Sequence, residues 1–359
     1  MVILMTYTKP AKCDGCGGEC NNELQCICCG NIDKDFIKLI FPEKNIETCY
    51  IKIYNKLLDG TITKKDEEIL LYYLKHDMIQ ENSFADALII IDKIQYKKLN
   101  ISYEVFKEIF CFSIKKFMKN IVGNKIKNYN PRCTIFNLSE EISGGAIENI
   151  SVLIDEEDFK NFYYNGNINI LITMYHEVQH IIQNTNIKLG IFNEDLLLQL
   201  KEQIIRKYEF KTYKTNTYYE NNYNNISYEV DARIKSVQYI INFLSYFNLS
   251  LNDSYLEYLK NTYIGNYDLV NRTVIINGEK TQSTINDVFD KIIINMPEYL
   301  ELYPQLKLEY INDNGVIRRK TKEELIASAD AISDNKDFKN EDLNYILKLI
   351  DTKQKTTNH

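Results

Sequence analysis

Residues 168–183, INILITMYHEVQHIIQ, constrain this chain more than any other stretch, because a long apolar run carries two histidines with a glutamate between them. Ile168, Ile172, Tyr175 and Val178 or Gln179 recur at helical spacing, and nothing charged occurs from Ile168 through Tyr175. The pattern predicts a helix buried on most sides. Gly166 and Asn167 break the chain before it, with Asn167 the expected N-cap. On such a helix His176 and His180 lie one turn apart on one face and reach a single metal ion, while Glu177 projects beside that ion. Burial suits a site that must exclude water and hold its ligands in fixed rotamers. The chain has four histidines in all. Of the other two, His359 is terminal and His76 follows Lys75 near a predicted helix end, where a solvated cation favoured by the helix dipole is the simpler reading.

Composition frames that helix. With 359 residues, 45% apolar and 26% charged, the chain reads as folded, with material for one sizeable domain with additions or for two. A formal charge of −7 argues against broad attraction to nucleic acid or anionic membrane, so neither is expected as a partner. No run approaches the roughly eighteen apolar residues of a membrane span. The start, MVILMTYTKPAKCDGC, lacks the regions of a signal peptide, and the expected location is cytoplasmic. Six of the nine cysteines crowd into Cys13, Cys16, Cys20, Cys26, Cys28 and Cys29. Their spacing suits a second metal, held by Cys13, Cys16, Cys26, Cys28 or Cys29, better than a disulfide framework. A flexible thiol-rich tail or a redox-sensitive segment is the alternative.

Changes of pattern divide the chain into a Cys-rich segment 1–32, a helical domain 33–128, a larger domain 129–350 and a frayed tail 351–359. In the helical domain Thr63-x-x-Asp66 opens a helix through Leu70 and Leu74, and Ser102 caps another through Phe106, Phe110 and Phe117. Farther on, 134–138 and 150–154 predict strands and Ser143-Gly144-Gly145 a turn, so a hairpin precedes the motif helix. Helices are expected over 194–210 and 226–247, separated by a polar loop at 215–225. The second of them carries a core stripe of Val230, Ile234, Val237, Ile241 and Leu244. Asn277-Gly278 and Asn314-Gly315 mark hairpin turns, the latter between strands at 306–310 and 316–318, and Thr321-x-x-Glu324 is a capping box.

Two histidines alone make a weak zinc site, since catalytic zinc ordinarily takes three protein ligands and leaves a fourth position for water. An H-E-x-x-H-x-x-G-x-x-H continuation is absent, because Gln183 and Asn186 stand where the glycine and third histidine would be. A carboxylate is therefore the expected donor. Glu229, in Tyr228-Glu229-Val230-Asp231-Ala232-Arg233, is the first choice, since it flanks the stripe of the next long apolar helix and small Ala232 lets two helices approach closely. Glu194, Glu202, Glu209 and Glu220 are its rivals.

With these residues in view, the chain resembles the gluzincins, zincin metallopeptidases in which an H-E-x-x-H helix is completed by a glutamate from a later E-x-x-A or E-x-x-D helix. The resemblance covers roughly 130–250, and only H-E-x-x-H is highly diagnostic. It implies an α+β, predominantly helical fold, with a zincin-like catalytic domain and a small β-sheet beside the active-site helix. It further implies Zn2+ held by His176, His180 and Glu229, Glu177 as general base, and a protein or peptide substrate. Gluzincins pair an extended substrate with a strand beside the helix, a place that 150–154 would fill unless it is an ordinary core strand. Similar families stabilise the oxyanion with Tyr, His or Arg, which makes Tyr223, Tyr228 and Arg233 candidates. The tyrosine of toxin-like members would fall at Asn222, so the pattern is not matched there. Asp231 is a candidate to orient a ligand histidine. A non-catalytic zinc-binding interaction protein and a regulatory, repressor-cleaving peptidase are the alternative functions.

Overall fold

In the computed structural model the motif lies in a helix of 20 residues, Asn169–Lys188, which runs past the expected end at Gln183. It stops where Leu189 N–H donates to Thr185 O and Gly190, at φ +67°, takes the left-handed conformation that ends a helix without strain. Its start also departs from expectation. Ile168, not Asn167, occupies the N-cap and makes no side-chain cap, so burial of Ile170, Leu171, Ile172, Met174, Val178 and Ile181 stabilises the helix instead.

The structure describes residues 46–75, 86–87, 89–90, 92–93, 98–138, 142–191, 194–216, 223, 226–246, 253–263, 274–276, 279–281, 284–294, 296–333 and 340–356. The cysteine cluster with its expected metal, His76, His359, Glu220, Asn222 and Asn277-Gly278 lie outside them.

The fold is α+β and mostly helical. Helices α1 (Ile46–Leu58), α2 (Lys64–Lys75) and α3 (Tyr103–Val122) come first. Thr63 and Asp66 form the expected capping box at α2, each side chain accepting from the other's backbone N–H. Then come β1 (Arg132–Phe136), β2 (Gly144–Ile147), β3 (Ser151–Asp155), α4 (Glu156–Asn165), the motif helix α5 (Asn169–Lys188), α6 (Glu194–Tyr213), α7 (Ser227–Tyr246) and α8 (Asp253–Tyr263). The remainder comprises β4 (Val274–Ile276), β5 (Glu279–Thr281), α9 (Ile285–Ile293), α10 (Glu298–Leu302), β6 (Tyr310–Asp313), β7 (Val316–Arg319), α11 (Lys322–Ser333) and α12 (Asn340–Thr356).

Two compact units divide the chain. One takes 1–116 and 160–167, the other 117–159 and 168–359, so the division falls at Lys116 rather than near 128 and the end of α4 belongs with the first unit. In that unit Phe162 packs its ring at 5.6 Å from Phe106 and 5.9 Å from Phe110, joining α4 to the core of α3.

In the second unit the sheet order is β1-β3-β2, with β1 parallel and β2 antiparallel to β3. Gly144 and Gly145 therefore lie within a strand, and the turn falls at Glu148, Asn149 and Ile150, not at 143–145. Strand β3 is central in that order and buries Val152 and Ile154, so of the two roles open to 150–154 it takes that of the core strand and not of the substrate-pairing edge. Helix α4 intervenes between this hairpin and α5.

Helix α7 lies along α5, and α5 packs against β2 and β3. Its buried line runs through Val230, Arg233, Val237, Ile240 and Leu244, with Ile240 in place of the expected Ile241 and Ile234 only half-buried. A further core joins α6 to α9 through Leu200, Ile204, Val288 and Phe289. Residues 304–308 form a 3-10 turn rather than a strand, because Pro304 fixes φ at its start, and pairing begins only at Tyr310. Thr321 and Glu324 close the expected capping box on α11, and α12 continues to Thr356 through most of the tail expected to fray. Among the described residues, no helix is long and apolar enough to cross a membrane.

Candidate metal centre

The apolar sequence of α5 leaves few polar side chains to bury, and those few converge. His176, His180 and Glu229 each offer one donor atom, and the three atoms lie within 4.8 Å of one another. His176 Nε2 is 3.0 Å from His180 Nε2 and 3.2 Å from Glu229 Oε2, while His180 Nε2 is 3.5 Å from that oxygen. Donors arranged tetrahedrally about 2.0–2.1 Å from zinc stand about 3.3 Å apart. The residues present therefore fit the ion the motif implies, and among the described residues no other such donor group occurs.

Helix α7 brings in Glu229 because its first turn is tied to α6. Glu202 accepts a hydrogen bond from Ser227 N at 2.9 Å and another from Ser227 Oγ, so its carboxylate satisfies an N-terminal donor of α7. This uses up one of the rivals for the third donor position. Glu194 pairs with Lys348 at the surface and Glu209 lies outside the donor group. Ala232 is fully buried, in keeping with the close approach of the two helices.

His180 is held on two sides. The Tyr228 ring stacks on its imidazole at 4.2 Å and 4°, and Gln183 Oε1 lies 2.8 Å from its Nδ1. The amide of Gln183 donates to Asp231 Oδ2 at 2.7 Å and to Tyr228 O at 3.0 Å, which leaves Oε1 facing the histidine. Nδ1 must then carry the proton, and the Nε2 lone pair of the neutral ring faces the donor cluster. Gln179 donates to the same Asp231 oxygen at 2.8 Å. Asp231 thus acts on His180 through Gln183 rather than directly, and the two glutamines are functional groups that sequence reasoning passed over. Their signal was there: two amides four residues apart on the helix that carries the histidine pair.

The charges respond to this burial. Burial would raise the Glu229 carboxyl, but the His176 and His180 imidazoles beside it outweigh that effect and hold the group well below its usual range. Burial lowers His176, whereas at His180 the neighbouring Glu229 and Glu177 carboxylates outweigh the same effect and raise it. Glu177, 8% exposed, is pushed by burial up to about 7, where a carboxylate both takes and returns a proton near neutral pH.

The three expected oxyanion donors separate. Tyr223 stands at the site, 39% exposed, its hydroxyl bonded to Glu229 and its pKa pushed up to about 12, chiefly by burial. Arg233 lies 5.0 Å from the centre of the Tyr223 ring and donates to Tyr223 O at 3.2 Å, so it supports that tyrosine. Tyr228 turns its hydroxyl to His180 O at 3.5 Å and Asn184 Oδ1 at 3.3 Å, which spends it on α5 itself.

Strand β2 runs beside the cluster. A Cβ placed on Gly144 would stand 2.6 Å from Thr173 Cγ2 and 3.2 Å from Glu177 Cγ, so only glycine allows the strand so near the helix. Set against family profiles, curated proteins and solved structures, the chain finds no match, so the site stands on its own geometry.

Proposed function

We propose that this protein is a zinc-dependent endopeptidase of the gluzincin type, with a zincin-like catalytic domain in its second unit and a protein or peptide as substrate. The observation that carries the proposal is the convergence of His176, His180 and Glu229 with Glu177 buried beside them. Among the described residues the donor set stops at three, as in catalytic rather than structural zinc sites. Zinc bound there supplies Lewis acidity toward a carbonyl and a water. Glu177 takes the proton of the attacking water and returns it to the leaving amine. Tyr223 donates its hydroxyl to the oxyanion, and edge strand β2 pairs with the extended peptide in the place first assigned to 150–154.

The test is the Glu177→Gln variant with zinc content measured beside it. Hydrolysis falls by about 10²–10⁴-fold while the metal stays bound. Undiminished cleavage would overturn the proposal.

A further inference from the structure

A cleft of about 560 Å³ opens next to the metal cluster, bordered by Ala146 of β2, Asn184 of α5, Tyr228 of α7, and Arg206, Lys207 and Phe210 of α6. We infer that it is a specificity site for an acidic side chain of an extended peptide, an inference that rests on the peptidase reading for the path of that peptide.

Position comes first. Ala146 lies two residues along β2 from Gly144, which abuts Glu177. At about 3.3 Å per residue, the cleft begins about 7 Å along the strand from that glutamate. A side chain two or three positions from a bond held at Glu177 would enter it. Ala146 is small enough to leave the entrance clear, and the Tyr228 ring that stacks on His180 forms one wall.

Charge decides what enters. Arg206 and Lys207 are exposed on neighbouring positions of α6. Arg206 Nε donates to Asn216 Oδ1 at 3.1 Å, and Lys207 Nζ donates to Tyr303 Oη at 3.1 Å, bonds that hold both heads at the wall. The lining carboxylate, Glu202, is 2% exposed and already accepts from Ser227. Arg206 and Lys207 put two cations on the wall of the cleft, in a chain whose net charge is −7. Phe210, 62% exposed, offers apolar surface to the methylenes of Glu or to a neighbouring apolar residue.

An array of immobilised random-sequence peptides, probed with the full chain as Glu177→Gln so that nothing is cut, tests the inference. Retained peptides are enriched in Asp and Glu, and binding weakens as salt rises. Adding Arg206→Glu and Lys207→Glu lowers affinity for those peptides about tenfold and shifts preference toward Lys and Arg. The milder Arg206→Gln and Lys207→Gln give a partial loss should the reversal impair folding, which the thermal midpoint reports. Absence of acidic enrichment, or enrichment that survives charge reversal, overturns the inference. Digestion of the same peptides by the unsubstituted chain separates the two readings. Cuts within three residues of the acid support both, whereas charge-dependent binding with no cleavage keeps the cleft and removes the peptidase.

Discussion

Gln183 holds the site together from behind the donor atoms, because its amide links Asp231 to the imidazole of His180. Replacing it with Leu keeps the volume but leaves the Nδ1 proton facing an apolar group, so the ring loses both its tautomer and its orientation. Zinc affinity of Gln183→Leu falls about 10–100-fold, read by competition with a chromogenic chelator. Affinity equal to the parent's would show that the Tyr228 stack alone orients the ring. Asp231→Asn has a smaller effect, since an amide oxygen still accepts from both glutamines. The histidine pair and Glu177 were legible from spacing alone, whereas the role of Gln183 was not. An amide reads as an acceptor toward His180 only once its donors are seen to be spent on Asp231 and Tyr228.

At the scale of elements, the approach of β2 to α5 is set by one missing methyl. Gly144→Ala drives a Cβ into Thr173 Cγ2, and overpacking of this kind costs about 1–3 kcal/mol. The thermal midpoint falls accordingly, and adding Thr173→Ala, which removes the opposing methyl, restores part of it. A Gly144→Ala protein as stable as its parent would mean that the strand can stand off the helix at no cost. The capping boxes of α2 and α11 were readable because Thr and its acidic partner lie three residues apart. The strands were harder. Alternation locates β3 but says nothing of which strands flank it, and a glycine pair in a strand looks like a turn until its partner is known.

Across the whole molecule, the two units predict two separable responses. Free zinc at about a hundredfold above its dissociation constant adds about 2.7 kcal/mol to the unit that binds it. That corresponds to a rise of about 5–10 °C in its calorimetric transition, absent in His180→Ala. A shift that persists in His180→Ala would place the metal elsewhere. The first unit answers to pH instead. Asp86, 1% exposed and accepting from Tyr54 Oη at 2.6 Å, is pushed by burial from 3.8 up to about 6. Below about pH 4 the carboxyl is protonated folded and unfolded, and its burial carries no ionisation cost. Between about 4 and 6 the unfolded chain ionises first, so stability declines as pH rises, by about 3 kcal/mol in all, and levels off above 6. Asp86→Asn removes that slope; an unchanged slope in the variant would assign it to other groups.

The same division of scales separates what was readable in the chain from what was not. The sequence by itself determined the motif helix, its two imidazoles on one face and the glutamate beside them, because helical periodicity is local and repeats every turn. Only the tertiary structure brought a third donor atom to the histidines. Sequence put Glu229 first but left four other carboxylates as rivals, and it is the docking of α7 on α5, with Glu202 committed to Ser227, that leaves Glu229 facing the histidines. Distance along the chain carries no information about such a meeting, which depends on how buried faces pack.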